Sequence, residues 1–117
     1  MGYMRHHVIV VTSWDGKLLN TAHSKAVALG MLVTNTTEDG VNGYRSFLVA
    51  PDGSKEGWDE SARGDAQRAE FVNWLDMQRY EDDSTSLDWV EVQYGDEEHQ
   101  TLIVNDSDER QRHDVAL

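Results

Sequence analysis

Two short stretches collect the residue types that chemistry needs. Trp14-Asp15-Gly16-Lys17 and Asp52-Gly53-Ser54-Lys55 each join a carboxylate, a glycine and a lysine. A carboxylate can accept a proton, and a lysine can hold an anionic group. If both stretches leave the same edge of a sheet, Trp14, Asp15, Lys17, Asp52, Lys55 and Trp58 line one small ligand cleft. Strand ends are common ligand positions in open α/β sheets. The competing reading is plain turn chemistry. Asp hydrogen-bonds the backbone two residues on, and Gly takes positive φ without a Cβ clash.

Other constellations point away from catalysis. His6 and His7 are adjacent, so in a strand they face opposite ways and cannot clamp one metal. His23 has neither histidine nor acid four residues on, and His99 and His113 stand apart. There is no His-Glu-x-x-His and no calcium-loop pattern. Cysteine is absent, which removes thiolate nucleophiles, thiolate zinc sites and disulfides. Neither Gly-x-Ser-x-Gly nor a glycine-rich phosphate cradle occurs. The expectation is a chain with no metal and no cofactor, and with no catalytic residues. The alternative is a ligand binder or enzyme working through Asp15 and Asp52.

Charge narrows the partners. The chain has 22 acids against 10 Lys and Arg, a net of −12 over 117 residues. Residues 1–75 hold nine acids and seven bases, a net of −2; residues 76–117 hold thirteen and three, a net of −10. Such a field repels nucleic acid and anionic membrane, and it attracts basic proteins. Direct nucleic-acid binding is therefore not expected. The bland use of such acidity is a solvated surface. The only apolar run near the N-terminus is Val8 to Val11, too short for a membrane span or a signal peptide, and a cytoplasmic setting is expected.

The elements that must position these residues follow from periodicity. Val8-Ile9-Val10-Val11 reads as a central strand. A helix is predicted from about Asn20 or Thr21 to about Gly30. Thr34 to Gly43 is a polar loop. Tyr44 to Val49 is a second buried strand, and Pro51-Asp52-Gly53 turns it toward a short third strand ending at Trp58. A helix then begins among Asp59, Glu60, Ser61 or Asp65 and ends near Tyr80. It carries Phe71, Val72 and Leu75 on its apolar side, with Arg63 and Arg68 on the other. Gly64 fits this helix poorly. Leu87 to Tyr94 and Thr101 to Val104 form a hairpin.

The expected fold is α+β: a single mainly antiparallel sheet of about five strands, order β-α-β-β-α-β-β, with two helices on one face. It spans one domain, 1–104, with a polar tail over 105–117. The first strand and the Tyr44 strand are expected in its middle. In the Leu87–Tyr94 strand, Val90 and Val92 share a face with Asp88 and Tyr94. Trp89, Glu91 and Gln93 take the other face; an exposed tryptophan there marks an interface, and the alternative is a tryptophan covered by a loop or by Leu87.

The segments Ala50–Trp58 (APDGSKEGW), Arg68–Leu75 (RAEFVNWL) and Ser86–Glu97 (SLDWVEVQYGDE) resemble small acidic hypothetical proteins of bacteria and their prophages. That resemblance implies a bacterial or phage setting and assigns no functional residue. The expected function is a non-catalytic acidic interaction module, binding a basic protein or a second copy of itself. One version is an inhibitor that competes for a nucleic-acid-binding groove.

Overall fold

The computed structural model describes residues 4–96 and 99–108. Strand β1 (His6–Ser13) leads into helix α1 (Gly16–Ala28), and strand β2 (Arg45–Val49) into helix α2 (Asp59–Asp76). Strands β3 (Asp88–Tyr94) and β4 (Leu102–Asp106) complete one antiparallel sheet of order β2-β1-β3-β4. The class is α+β, as expected. The strand predicted between Ser54 and Trp58 is absent. That stretch is a loop and turn, so the sheet has four strands among the described residues.

The first strand is central, but β2 lies at an edge. Its apolar run does not need a second strand partner, because the 31–37 segment dresses its outer side. Thr34 donates its N–H to Leu48 O (3.0 Å) and accepts the Leu48 N–H on its hydroxyl (3.0 Å). Thr37 repeats the device, with its N–H on Ser46 O (2.9 Å) and its hydroxyl under the Ser46 N–H (3.1 Å). Both outward groups of Ser46 and of Leu48 are thereby satisfied.

Helix α1 begins earlier than periodicity suggests, whereas α2 begins at Asp59, the first of the starts expected for it. Asp15, rather than Asn20, caps α1: its Oδ1 accepts the Leu18 N–H at 3.1 Å. Leu19, Ala22 and Ala26 are the buried stripe of α1. In α2 the buried positions are Ser61, Gly64, Arg68, Phe71, Val72 and Leu75. Gly64 lies inside the helix, against expectation. A Cβ there would come 3.0 Å from Asp52 Oδ2 and 3.1 Å from Arg68 Nη1, so glycine opens room for that approach. Arg68, expected on the outer side, is buried.

The core lies between the helices and one face of the sheet, with Ile9, Val11, Leu19, Phe47, Val49, Phe71, Val72, Leu75, Leu87 and Trp89 at its centre. At the far end of the sheet the buried guanidinium of Arg5 donates to the carbonyls of Gly95, His99 and Gln100, pinning the connection between β3 and β4. Asn105 and Asp106, assigned to a tail by sequence, are the last residues of β4; the tail after Asp108, with His113, falls outside the described residues.

Candidate functional site

The single cleft expected between the two Asp-Gly loops does not form. It required β1 and β2 to run parallel, and they are antiparallel, with Ile9 opposite Val49 and Ser13 opposite Arg45. The loop after β1 and the loop after β2 therefore leave opposite edges of the sheet.

At the first edge, Asp15 and Lys17 border a shallow pocket of about 300 Å³ with Leu18, Thr21 and Tyr80. Asp15 is already fully engaged in a ring of hydrogen bonds. Its N–H donates to Ser13 Oγ (3.0 Å), Ser13 to Ser86 Oγ (2.9 Å), Ser86 to the Tyr80 hydroxyl (2.8 Å), and Tyr80 back to Asp15 Oδ2 (2.6 Å). Ser13 and Ser86 are buried, so each hydroxyl needs both a donor and an acceptor, and the ring supplies them. Trp14 stacks on Tyr80 with ring centroids 6.5 Å apart and is otherwise half-exposed. The ring joins the end of β1, the cap of α1, the segment after α2 and the entry to β3.

The Tyr80 hydroxyl first, and the Leu18 N–H second, hold the Asp15 carboxyl below the usual carboxylate range. The same bond raises the Tyr80 phenol. Asp15→Ala removes the cap and one partner of the ring, and an expected loss of about 1–2 kcal/mol in urea denaturation follows. The sign with pH is fixed by the lowered value. The contribution is in place above about pH 4, where unfolded aspartate titrates, and is lost as pH falls through the lower folded-state value. The difference between wild type and Asp15→Ala is thus expected to shrink on acidification, and to shrink again only above about pH 10, where tyrosine titrates, because the same bond raises the Tyr80 phenol.

At the opposite edge, Asp52 and Trp58 border a cleft of about 400 Å³. Its walls are Met31, Leu32 and Val49 on one side and Arg63, Gly64 and Gln67 of α2 on the other. Lys55 lies over the Trp58 ring, 5.9 Å from its centroid. Burial pushes the Asp52 carboxyl up, but the Ser54 hydroxyl (2.6 Å) and N–H (2.9 Å), with the Arg68 charge, outweigh it and hold the group low. Behind the cleft, Arg68 pairs with Asp65 and reaches Glu91 Oε2 at 3.8 Å. His7 Nε2 lies 3.3 Å from Glu56 Oε1. The structure thus divides the six predicted residues between two places. Only Asp52, Lys55 and Trp58 remain neighbours of a roomy cleft.

The predicted interface face is reversed. The alternation of β3 is as read, but Trp89, Glu91 and Gln93 face the helices. Trp89 is 5% exposed and Glu91 is 8% exposed. Gln93 pairs with His7 across the ladder, its amide 3.4 Å from His7 Nε2. The valines face away from both helices. Across the strands, Leu48, Val10, Val90 and Asp106 form one row, and Val8, Val92 and Ile103 form the next. These side chains are partly exposed or exposed and do not join the core. A third row, Ser46, Thr12 and Asp88, bounds them at one end. Crowding by surrounding protein, then the Asp108 carboxylate, pushes Asp88 up.

The signal that misled was apolarity. Val90 and Val92 face away from the helices despite their apolarity, while Glu91 faces in beside Trp89. The long-range partner of that glutamate, Arg68, could not be read from local spacing.

Among the described residues no three histidines or carboxylates are placed to hold a metal ion, and no helix is long and apolar enough to cross a membrane. No protein-family model, no curated protein and no solved structure matches the chain.

Proposed function

We propose that the protein is a non-catalytic interaction module whose sheet face opposite the helices, which no described residue covers, receives a basic protein partner. The observation that carries this reading is the arrangement of that face. Two rows of aliphatic side chains, Leu48-Val10-Val90 and Val8-Val92-Ile103, stand outside the core, with Asp88, Asp106 and Asp108 grouped beside them. An apolar centre with a charged rim is the usual make-up of a protein interface. The rim sets the sign of the partner. The net charge of −12 steers the same class of partner over longer range.

The test is a titration with two soluble peptides of equal positive charge, one alternating Lys and Val, the other Lys and Gly. The Lys-Val peptide is expected to bind more tightly, with amide shifts centred on Val8, Val10, Val90 and Val92. Binding is expected to weaken in high salt, where the charges on the rim are screened. Asp88→Asn should weaken it too. Equal affinity of the two peptides, or shifts confined to the helices, would overturn the reading.

A second reading is favoured by the cleft beside Trp58. Its volume of about 400 Å³ lies in the range of small-molecule sites. Asp52 and Arg63 would supply polar recognition, and Trp58 an apolar wall. On that reading the chain binds a small ligand through the loop after β2. A peptide titration that leaves the sheet face unperturbed and moves the Trp58 indole signal would favour it.

A further inference from the structure

We infer that the partner enters as an extended, basic segment that adds a fifth strand to the outer edge of β4. This rests on the reading of the sheet face as a basic-partner surface, and it names how that partner is held.

The two edges of the sheet are treated differently. At β2 the chain uses Thr34 and Thr37 to occupy the outward N–H and C=O of both Ser46 and Leu48. Bare strand edges recruit other strands, and proteins normally block them in some such way. At β4 no described residue does this for Leu102, Ile103 or Val104, whose strand pairing is to β3 alone. Nor do charged or proline residues blunt this stretch. It is Leu-Ile-Val, with exposures of 48, 65 and 46%. An apolar edge strand left open beside an apolar face is suited to strand addition, in which main-chain hydrogen bonds supply affinity and alternate side chains supply selectivity.

The occupant follows from geometry and charge. An added strand lies about 4.8 Å beyond β4, so every second side chain extends the row that ends in Ile103 on the uncovered face. Asp88, Asp106 and Asp108 cluster at one end of β4 and its neighbour. Lys or Arg in the added strand then meets carboxylates, and Val or Ile meets Ile103. A second copy is the weaker fit. It would bring together two bodies of net charge −12 and lay Asp106 of each copy beside the apolar end of the other strand.

The bulge between Glu91 and Val92 in the β3–β4 ladder leaves Val104 as the extra residue of β4. Bulges bend and twist the strand that carries them. Strand addition is therefore expected to be short, over Leu102 to Val104, and not to propagate into a long array.

The experiment modifies the peptide rather than the protein, so folding is not at issue. The alternating Lys-Val peptide is compared with a version N-methylated at every second amide, in both possible phases. Charge and side chains are unchanged, but one phase loses its edge-facing N–H groups. That phase is expected to bind roughly tenfold more weakly or worse, and the other phase less affected. Amide exchange at Leu102–Val104 should slow only with the binding peptides. If all three peptides bind equally, strand addition is wrong while the basic-partner reading stands. If none binds, both fail. If the protein alone sediments as a dimer that Ile103→Lys dissociates, the edge belongs to a second copy, and the inference is overturned in favour of self-association.

Discussion

Arg68→Met is expected to lower folding stability by about 3–5 kcal/mol, a large part of what a domain this size possesses. The guanidinium is buried in α2 between Asp65, Glu91 and Asp52. Glu91 sits on the helix-facing side of β3, one strand in from the edge, largely shielded from water. With Arg68 gone, that carboxylate keeps its desolvation and loses its partner. Removing one member of a buried pair costs far more than removing both. The double variant Arg68→Met, Glu91→Leu is therefore expected to recover most of the loss, which urea denaturation of both variants would show. A second readout is independent of stability. The Arg68 charge is one of the groups that hold Asp52 low, so the Asp52 carboxyl is expected to titrate at higher pH in Arg68→Met. An unchanged Asp52 titration, with a stability loss under about 1 kcal/mol, would show that Arg68 does not neutralise this cluster.

Phe71→Ala is expected to cost a similar amount, about 3–5 kcal/mol, by a different mechanism. Phe71 is fully buried where α2 crosses the sheet. Its ring lies 6.5 Å from that of Phe47 on β2 and 6.4 Å from that of Trp74, nearly parallel to the latter. Truncation leaves a cavity between a helix and a strand that are both tied down, so collapse around it is limited. The loss should appear as a lower urea midpoint with an unchanged denaturant slope. Phe71→Leu keeps most of the volume and is expected to cost much less. If Phe71→Ala and Phe71→Leu were equally mild, the packing at this crossing would be looser than the ring geometry indicates.

Both substitutions act on α2, and the two halves of that helix were not equally readable. Phe71, Val72 and Leu75 repeat at helical spacing, and they are buried as that spacing requires. Ser61, Gly64 and Arg68 continue the same stripe toward the N-terminus, but their types do not look like a buried face. Two of them are inside for a reason supplied by another part of the chain: Gly64 by the approach of Asp52, and Arg68 by Glu91 on a distant strand. The same holds for Asp15. Its role as the α1 cap is a local bond to the Leu18 N–H, while its place as last link of a hydroxyl ring depends on Tyr80, 65 residues later.

Taken alone, the order of residues determined the α+β class, the alternation within β3, the apolar stripe of the second helix and the acidity of the later half of the chain. Each is a local property, set by side-chain period and charge count. Only the tertiary structure decided which face of β3 turns inward, that β1 and β2 run antiparallel, and that β2 is a dressed edge while no described residue dresses β4. Those outcomes rest on pairings between residues far apart in the chain, such as Arg68 with Glu91 and Thr34 with Leu48. A one-residue change of phase reverses every side chain in a strand, so small long-range energies settle which surface is offered to a partner.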